Sequence, residues 1–118
     1  MAEADGRAAN PGESWSRALL IAAGLAPTDL QVEVRDGRGL AGYADFGWLP
    51  RRVLGEFDGR GKYGVDATGA ADAVWGEKVR EDRIRACDYA VVRWTWADLY
   101  EPGQFLDRVR RALARASS

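Results

Sequence analysis

Three carboxylates lie close together in the sequence around a short turn, and carboxylate oxygens are the ligands that hard divalent cations prefer. Asp45 precedes the turn at Pro50-Arg51, and Glu56 and Asp58 follow it. A hairpin centred on that turn places Asp45 opposite Glu56, with both side chains on one face of the sheet. Asp58 shares that face because side chains alternate along a strand with a period of two. The spacing therefore predicts an acidic patch on a hairpin.

This acidic patch has three interpretations. Like charges directly opposed in a sheet destabilise it, and a divalent cation bound between them reverses that effect. Without a cation, the carboxylates form a solvated acidic edge that repels anions. A register slipped by one residue would instead turn Asp45 away from Glu56. The predicted register can be checked at two further pairs: Trp48 with Val53, and Phe46 with Gly55.

The composition limits the chemistry. The chain has no His, and Cys87 is its one Cys, which excludes a Cys/His catalytic pair and zinc sites of the Cys/His type. A lone Cys agrees with the reducing cytoplasm. No segment approaches the roughly 18 apolar residues of a membrane span, so no membrane partner is expected. The net charge of −1 gives no global basic field of the kind that marks many nucleic-acid binders.

Hydrophobic periodicity predicts one domain over residues 12–116 after a disordered leader over residues 1–11. A meander of strands followed by a helical crossover to a further strand argues for an α/β fold, with a mixed four-stranded sheet flanked by helices in the order α-β-β-β-α-β-α. The predicted elements are a helix over 12–23, strands over 30–35, 40–48 and 52–58, a glycine-rich loop over 59–71, a helix over 72–86 with Asp72 as its N-cap, a strand over 89–94, and an amphipathic helix after Pro102.

Arginine supplies 15 of the 17 basic residues, and four of these arginines lie on the terminal helix. They could contact phosphates or form the solvated face of that helix. The chain also contains five Trp. Trp94, inside an apolar run, is assigned to the core, and the position of Trp96 stays open. The four arginines of the terminal helix are Arg108, Arg110, Arg111 and Arg115.

The acidic hairpin resembles the core of the PD-(D/E)xK nucleases. In this chain, Asp45 is followed by about ten residues of hairpin and then by the run Glu56-Phe57-Asp58-Gly59. More narrowly, the chain is similar to the very-short-patch-repair-like endonuclease domain over about Glu13–Leu113. The similarity lies in the motif Glu-Phe-Asp-Gly-x-x-Lys, the Arg-rich helix that follows it, and the strand Tyr89-Ala-Val-Val-Arg-Trp. The resemblance implies a restriction-endonuclease-like fold and hydrolysis of DNA phosphodiesters with Mg²⁺, for which Mn²⁺ can substitute. Actinobacterial members often follow a helix-turn-helix in antitoxin-like proteins, which implies a helix-turn-helix or toxin–antitoxin partner.

The resemblance also assigns metal ligands. It implies that Asp45 and Glu56 bind the metal through their side chains, and that the carbonyl of Phe57 adds a ligand. Glu13, on the first helix, matches a glutamate that often completes the acidic cluster. The alternative for Glu13 is an ordinary carboxylate favoured by the dipole at the start of a helix.

The third position of the motif departs from the superfamily, because Asp58 stands where the superfamily usually has Lys. Lys62 lies where the narrower family commonly has His, and it would hold the attacking water or stabilise the developing charge, unless it is simply solvated. Lys78 is the other candidate, and its alternative is an ion pair with Asp82, four residues on. Arg80 matches an Arg of the family helix and would bridge the acidic cluster or contact a phosphate.

Two functions remain in competition. The first is a metal-dependent DNA endonuclease, favoured by the set of Asp45, Glu56 and Asp58, because a bound cation activates water without His or a thiol. The second is a nuclease fold that has lost catalysis and binds DNA or protein in a toxin–antitoxin or phage-defence system. The missing superfamily Lys and the modest net charge favour this second function.

Overall fold

One mixed sheet of four strands organises the chain, with helices packed on both of its faces. The computed structural model describes residues 10–59 and 67–116, and over residues 67–74 it describes the backbone alone. The predicted α/β class, mixed sheet and order of elements are confirmed, with one short helix added. The elements are α1 (Pro11–Ala22), β1 (Asp29–Asp36), β2 (Gly39–Trp48), a 3₁₀ turn (Leu49–Arg51), β3 (Val53–Asp58), α2 (Ala67–Ala86), β4 (Ala90–Thr95), α3 (Trp96–Tyr100) and α4 (Gly103–Ala116).

The strands follow one another in the order β1-β2-β3-β4. The first three form an antiparallel meander, and β4 pairs in parallel with β3. A parallel pair needs a crossover connection, which α2 supplies. The predicted hairpin register is confirmed, because the β2–β3 pairs are Phe46 with Gly55, Gly47 with Leu54, and Trp48 with Val53.

Each face of the sheet buries its own hydrophobic cluster. The face covered by α1, α3 and α4 carries the large aromatic residues, and Trp94 is buried there as predicted. The face covered by α2 is aliphatic, with Val32, Val34, Leu54 and Ile84 at its centre. None of the helices in the described part of the chain is long and apolar enough to cross a membrane.

The first helix begins earlier than predicted. Pro11 occupies the first turn, where its missing N–H costs nothing, and the side chain of Asn10 accepts a hydrogen bond from the backbone N–H of Glu13 at 2.9 Å. These two residues therefore cap and begin the helix, although the prediction gave them to a disordered leader. The rest of that leader, residues 1–9, lies outside the described residues.

The crossover helix and the helix after β4 also correct the prediction. α2 begins at Ala67, so residues 67–71 do not belong to the predicted loop, and Asp72 lies inside the helix instead of capping it. The reason is that this stretch is rich in Ala, the strongest helix former, and contains no Pro. α3 was not predicted. It begins with a capping box in which Thr95 and Asp98 each satisfy a backbone N–H at the helix start.

Candidate active site

Asp45 lies where β2 and β3 separate. Their paired residues end at Phe46 and Gly55, one step short of the predicted pair of Asp45 and Glu56. At this point Oδ2 of Asp45 accepts a hydrogen bond from the backbone N–H of Phe57 at 2.8 Å. A side chain thus satisfies an amide at the end of the ladder, and the half-buried carboxylate is held in one orientation.

Glu13 reaches Asp45 from α1 because that helix lies unusually close to β3. A Cβ atom added to Gly12 would lie 2.1 Å from the ring of Phe57, a distance that no side chain tolerates. Glycine therefore permits this approach, which places Glu13 within hydrogen-bonding reach of Asp45. Asn10 and Gln31 also donate to the Glu13 carboxyl, at 3.5 and 3.4 Å.

Burial and their proximity shift the pKa of both carboxyl groups. Burial, followed by the charge of Asp45 and the hydrogen bond between the two groups, raises the pKa of Glu13 to about 7. Burial also raises the pKa of Asp45, against the opposing effects of the Phe57 amide, Glu13 and the charge of Arg80. Glu13 is therefore the member that keeps its proton near neutral pH, and it donates to the Asp45 carboxylate.

Glu56 projects toward α2 and meets two arginines. Its Oε1 accepts from Nη2 of Arg80 at 3.0 Å and lies 3.3 Å from Nη2 of Arg93. Arg93 is its neighbour because the parallel register of β3 and β4 sets the two residues side by side. The other carboxylate oxygen, Oε2, is buried and has no hydrogen-bond partner among the residues described.

These arginines also bind two glutamates of α2. Arg80 contacts Glu77 at 2.9 Å, and Arg93 contacts Glu77 at 3.0 Å and Glu81 at 3.2 Å. Although burial acts to raise it, the pKa of Glu77 is lowered by its hydrogen bonds and charge interactions with Arg80 and Arg93. The result is a network of three glutamates and two arginines that joins β3 and β4 to α2.

A cleft of about 500 Å³ opens beside this network. Three of the residues assigned to the site, Glu56, Phe57 and Asp58, line it together with Arg93 and Trp96. Asp58 is half-buried at the end of β3. The cleft thus gives a small ligand access to the second half of the predicted acidic motif.

The predicted site residues fall into two groups instead of one cluster. Glu13 and Asp45 form one group, and Glu56 with its arginines forms the other. Among the side chains that the structure describes, no set of three or more Asp, Glu, Cys or His is placed to hold a metal ion. The like-charge repulsion expected between Asp45 and Glu56 is relieved by separate partners: a proton on Glu13 and two arginines at Glu56.

The remaining predicted residues have different outcomes. Nζ of Lys78 lies 3.6 Å from Asp82 in an exposed ion pair, which was the alternative foreseen for it. Arg80 pairs with Glu56, a member of the predicted acidic cluster, and with Glu77, which is not. Its Nη1 also donates to the carbonyl of Tyr43 at 3.2 Å. Lys62 lies outside the described residues. The carbonyl of Phe57 as a metal ligand stays a prediction.

Three members of the network, Arg93, Glu77 and Glu81, were missed by the sequence reasoning. Arg93 interrupts the apolar run Val91-Val92-Arg93-Trp94, and a charge inside a predicted buried strand is a sign that it has a partner. Its partner depends on the parallel register, which no local pattern specifies. Glu77 and Glu81 are four residues apart and so share a helix face.

Comparisons of the chain with protein-family models, curated proteins and solved structures gave no match. The chemistry therefore has to follow from the site itself. A carboxyl pair whose proton is held near neutral pH can exchange that proton with water, or lose it to water when a divalent cation binds. In the Glu56 network, by contrast, two arginines already compensate most of the charge of the three glutamates.

Proposed function

We propose that the chain is a cytoplasmic Mg²⁺-dependent endonuclease that hydrolyses DNA phosphodiesters, with Glu13 and Asp45 as the carboxyl pair that holds the ion. The observation that carries this proposal is the close placement of that pair, one member on α1 and the other on β2. Two half-buried carboxyls on separate elements are held together, and the pKa of Glu13 lies near 7. Strongly perturbed carboxyls of this kind concentrate at functional sites.

The donor set suits Mg²⁺. This ion is usually bound through one or two protein carboxylates, with water and substrate phosphate completing its coordination. A pair of carboxyls therefore suffices where a group of three is absent. When bound, the metal supplies an activated water and neutralises phosphate charge. Mn²⁺ has similar ligand preferences and would serve as its substitute.

The other residues of the site have supporting roles in this proposal. The N–H of Phe57 orients the Asp45 carboxylate, and Glu13 gives up its proton when a cation arrives. Arg80 and Arg93, paired with the three glutamates beside the cleft, reduce the repulsion that those carboxylates would exert on a phosphate. Lys62 keeps the role that the family resemblance gives it, stabilisation of the developing charge, and Lys78 is less suited to that role because it pairs with Asp82.

Cleavage of supercoiled plasmid and of single-stranded oligonucleotides, with Mg²⁺, Mn²⁺ or EDTA, tests the proposal. We expect metal-dependent cleavage that falls by about 10²-fold or more in Asp45→Asn and Glu13→Gln, because each variant removes a carboxylate from the ion. Calorimetric titration with Mg²⁺ should show binding to the wild type and not to Asp45→Asn. Asp107→Asn is the control, since Asp107 is exposed on α4 and pairs only with Arg110 among the partners described. Unchanged cleavage in Asp45→Asn would refute the assignment.

A second function, an inactive nuclease-like module that binds DNA or a protein partner, is favoured by one observation. Glu56 is occupied by Arg80 and Arg93, so the residue that the resemblance makes a metal ligand is held by guanidinium groups. In a module of this kind, a helix-turn-helix or a toxin–antitoxin protein would be the partner. A wild type that binds DNA and cleaves nothing with either metal supports the module.

A further inference from the structure

A groove lined by arginines runs along the open edge of the sheet. β4 is the last strand, and α4 lies beside it, so Val91, Val92 and Arg93 form one wall of the groove. Its other residues are Arg108, Arg111 and Arg115 of α4, and its volume is about 310 Å³. None of these six residues is acidic. Arg93 is paired with glutamates and Arg108 lies 3.5 Å from Asp98. The positive charge of the groove that no described carboxylate compensates is therefore that of Arg111 and Arg115.

The arginine groove connects two other depressions of the surface. Arg93 lines both the groove and the candidate active-site cleft. At the other end, Arg115 lines both the groove and a pocket that contains Arg51 and Arg52. Arg52 donates to the backbone carbonyls of Cys87 and Asp88, and the pocket also contains the acidic Asp88. A row of arginines therefore runs from this pocket through the groove to the edge of the cleft, whose own lining includes Glu56, Asp58 and Glu77.

Two of these arginines have no internal role. Arg111 and Arg115 are exposed, and within the described part of the chain neither forms a hydrogen bond or an ion pair. Arg110, on the other side of the helix, is bound to Asp107 at 2.7 Å. The sequence alone could not distinguish these arginines of the terminal helix. In the structure, Arg110 is a paired surface residue, whereas Arg111 and Arg115 present guanidinium groups without a partner among the described residues to the groove.

The edge of β4 does not suit a partner strand. Nη2 of Arg108 donates to the carbonyl of Arg93 at 2.9 Å, and Nη2 of Arg85 donates to the carbonyl of Val91 at 3.3 Å. These are acceptors that an added strand would need. The arginine groove is therefore better suited to a chain of phosphates than to a peptide that extends the sheet.

Exposed aromatic side chains lie on α3, and one of them, Trp96, lines the cleft. Trp96 and Tyr100 occupy positions i and i+4 of α3 and are 36% and 71% exposed. Trp15 packs against both, with ring centroids 6.4 Å from Trp96 and 4.8 Å from Tyr100. Aromatic faces beside a positive groove are the combination that binds single-stranded nucleic acid, since bases stack on the rings while the groove follows the phosphates.

We infer that a single strand of nucleic acid lies along the β4 edge, with its phosphates on Arg111 and Arg115 and its bases on Trp96 and Tyr100, as it enters the cleft. The inference deepens the proposed function and rests on it for nucleic acid as the substrate. It adds the form of the substrate, an unpaired strand, and the path of that strand over the surface. DNA and RNA present the same phosphates and bases here, so the experiment distinguishes them.

Fluorescence anisotropy in EDTA measures binding apart from cleavage, with labelled oligo(dT), oligo(rU) and a DNA duplex of matched length as probes. We expect oligo(dT) to bind more tightly than the duplex. The double variant Arg111→Gln with Arg115→Gln should weaken binding by about tenfold or more. It should also reduce the slope of the logarithm of the binding constant against the logarithm of the salt concentration by about 1.4, because each phosphate that is no longer neutralised contributes about 0.7. Tyr100→Ala should weaken oligo(dT) binding by at least about fivefold and leave duplex binding unchanged. Oligo(rU) bound as tightly as oligo(dT) would extend the path to RNA.

The matched control is Arg35→Gln with Arg38→Gln, which removes the same charge from the β1–β2 hairpin at the opposite end of the sheet. Equal loss of binding in the control and in the Arg111/Arg115 variant would overturn the path, because charge alone would then explain both. Tighter binding of the duplex, or competition by polyglutamate at equal charge, would also overturn it. Cleavage assays show whether the proposed path of the strand or the proposed endonuclease activity has failed. Binding without cleavage leaves the path intact and refutes the enzyme, whereas cleavage unaffected by the Arg111/Arg115 variant refutes the path alone.

Discussion

At the scale of single residues, the carboxyl pair of Glu13 and Asp45 couples proton binding to folding. The pKa of Glu13 rises from 4.5 to about 7 on folding, so the folded protein holds this proton more tightly than the unfolded chain does. Between these two pH values the folded state binds more protons, and its stability falls as pH rises. The contribution is fully present below about pH 4.5 and is lost above about pH 7.

We therefore expect the free energy of unfolding to decrease by about 1 kcal/mol between pH 5 and pH 8, a linkage effect reduced by the partial exposure of the carboxyl. Glu13→Gln should remove most of this dependence and should be the more stable protein at pH 8, because an amide donates to Asp45 without ionising. Urea unfolding across this pH range measures the effect. Glu33→Gln, an exposed residue on β1, is the control, and an equal slope in Glu13→Gln and the wild type would contradict the raised pKa of Glu13.

The sequence singled out Asp45 and Glu56 but not their partners. Asp45 and Glu56 follow from the hairpin turn, and the register next to them is the predicted one. The bond from the Phe57 amide to Asp45 could not be predicted, because it forms where the regular ladder stops. The contact of Glu56 with Arg93 depends on how β4 aligns with β3 after a long connection, and that alignment is set by the packing of the whole sheet.

At the scale of elements, Arg80 attaches α2 to the sheet. Its side chain lies against Gly42, where an added Cβ would be 2.9 Å from Nη1. It reaches Glu56 on β3 and the carbonyl of Tyr43 on β2. The guanidinium is about three-quarters buried, so its removal would leave Glu56 with less compensation for its charge.

Arg80→Ala should destabilise the protein by about 2 kcal/mol, and Arg80→Lys should recover little of the loss, because an ammonium group cannot reach several acceptors in one plane. A double-mutant cycle with Glu56→Gln, measured by urea unfolding, should give a combined loss smaller than the sum of the single losses. Lys78→Ala, which breaks an exposed ion pair on the same helix, should cost about 0.5 kcal/mol or less. Strict additivity in the cycle would show that Arg80 and Glu56 do not stabilise each other.

Most elements were predictable because their signals are local: alternation in β1, a turn with Pro50 between β2 and β3, and helical spacing in α1 and α4. The predicted start of α2 is too late because Gly69 indicates a loop, whereas the alanines around it favour a helix and prevail. The sequence does contain a signal for α3, since Thr95 and Asp98 stand at the spacing of a capping box. That signal was hidden by the strand that ends directly before it.

At the scale of the whole molecule, one buried hydrogen bond joins the two ends of the fold. Nε1 of Trp94 donates to Oγ of Ser16 at 2.8 Å, and that hydroxyl donates to the carbonyl of Gly12 at 2.7 Å. Trp94 also stacks between Phe46 and Phe105. The docking of α1, the position of β4 and the aromatic core thus depend on one polar contact that is wholly buried.

Ser16→Ala should lower the free energy of unfolding by about 1–3 kcal/mol, because it leaves the indole N–H of Trp94 buried without an acceptor. Thermal and urea unfolding should both detect the loss. Ser14→Ala, at an exposed position of the same helix, should change stability by no more than about 0.5 kcal/mol. A Ser16→Ala variant as stable as the wild type would mean that the indole finds water or another acceptor.

The close approach of Gly12 to Phe57 has a consequence for how this sequence can vary. The second residue of a helix ordinarily accepts almost any side chain, so position 12 would look permissive in a mutational scan judged by helix propensity alone. Here a single methyl group would have to push α1 away from β3, and Glu13 would move with it, away from Asp45. In a library of variants at this position, we expect a survivor such as Gly12→Ala to fold with a Glu13 pKa closer to 4.5. A substitution of this glycine, with every carboxylate left unchanged, is thus enough to alter the proton affinity of the pair.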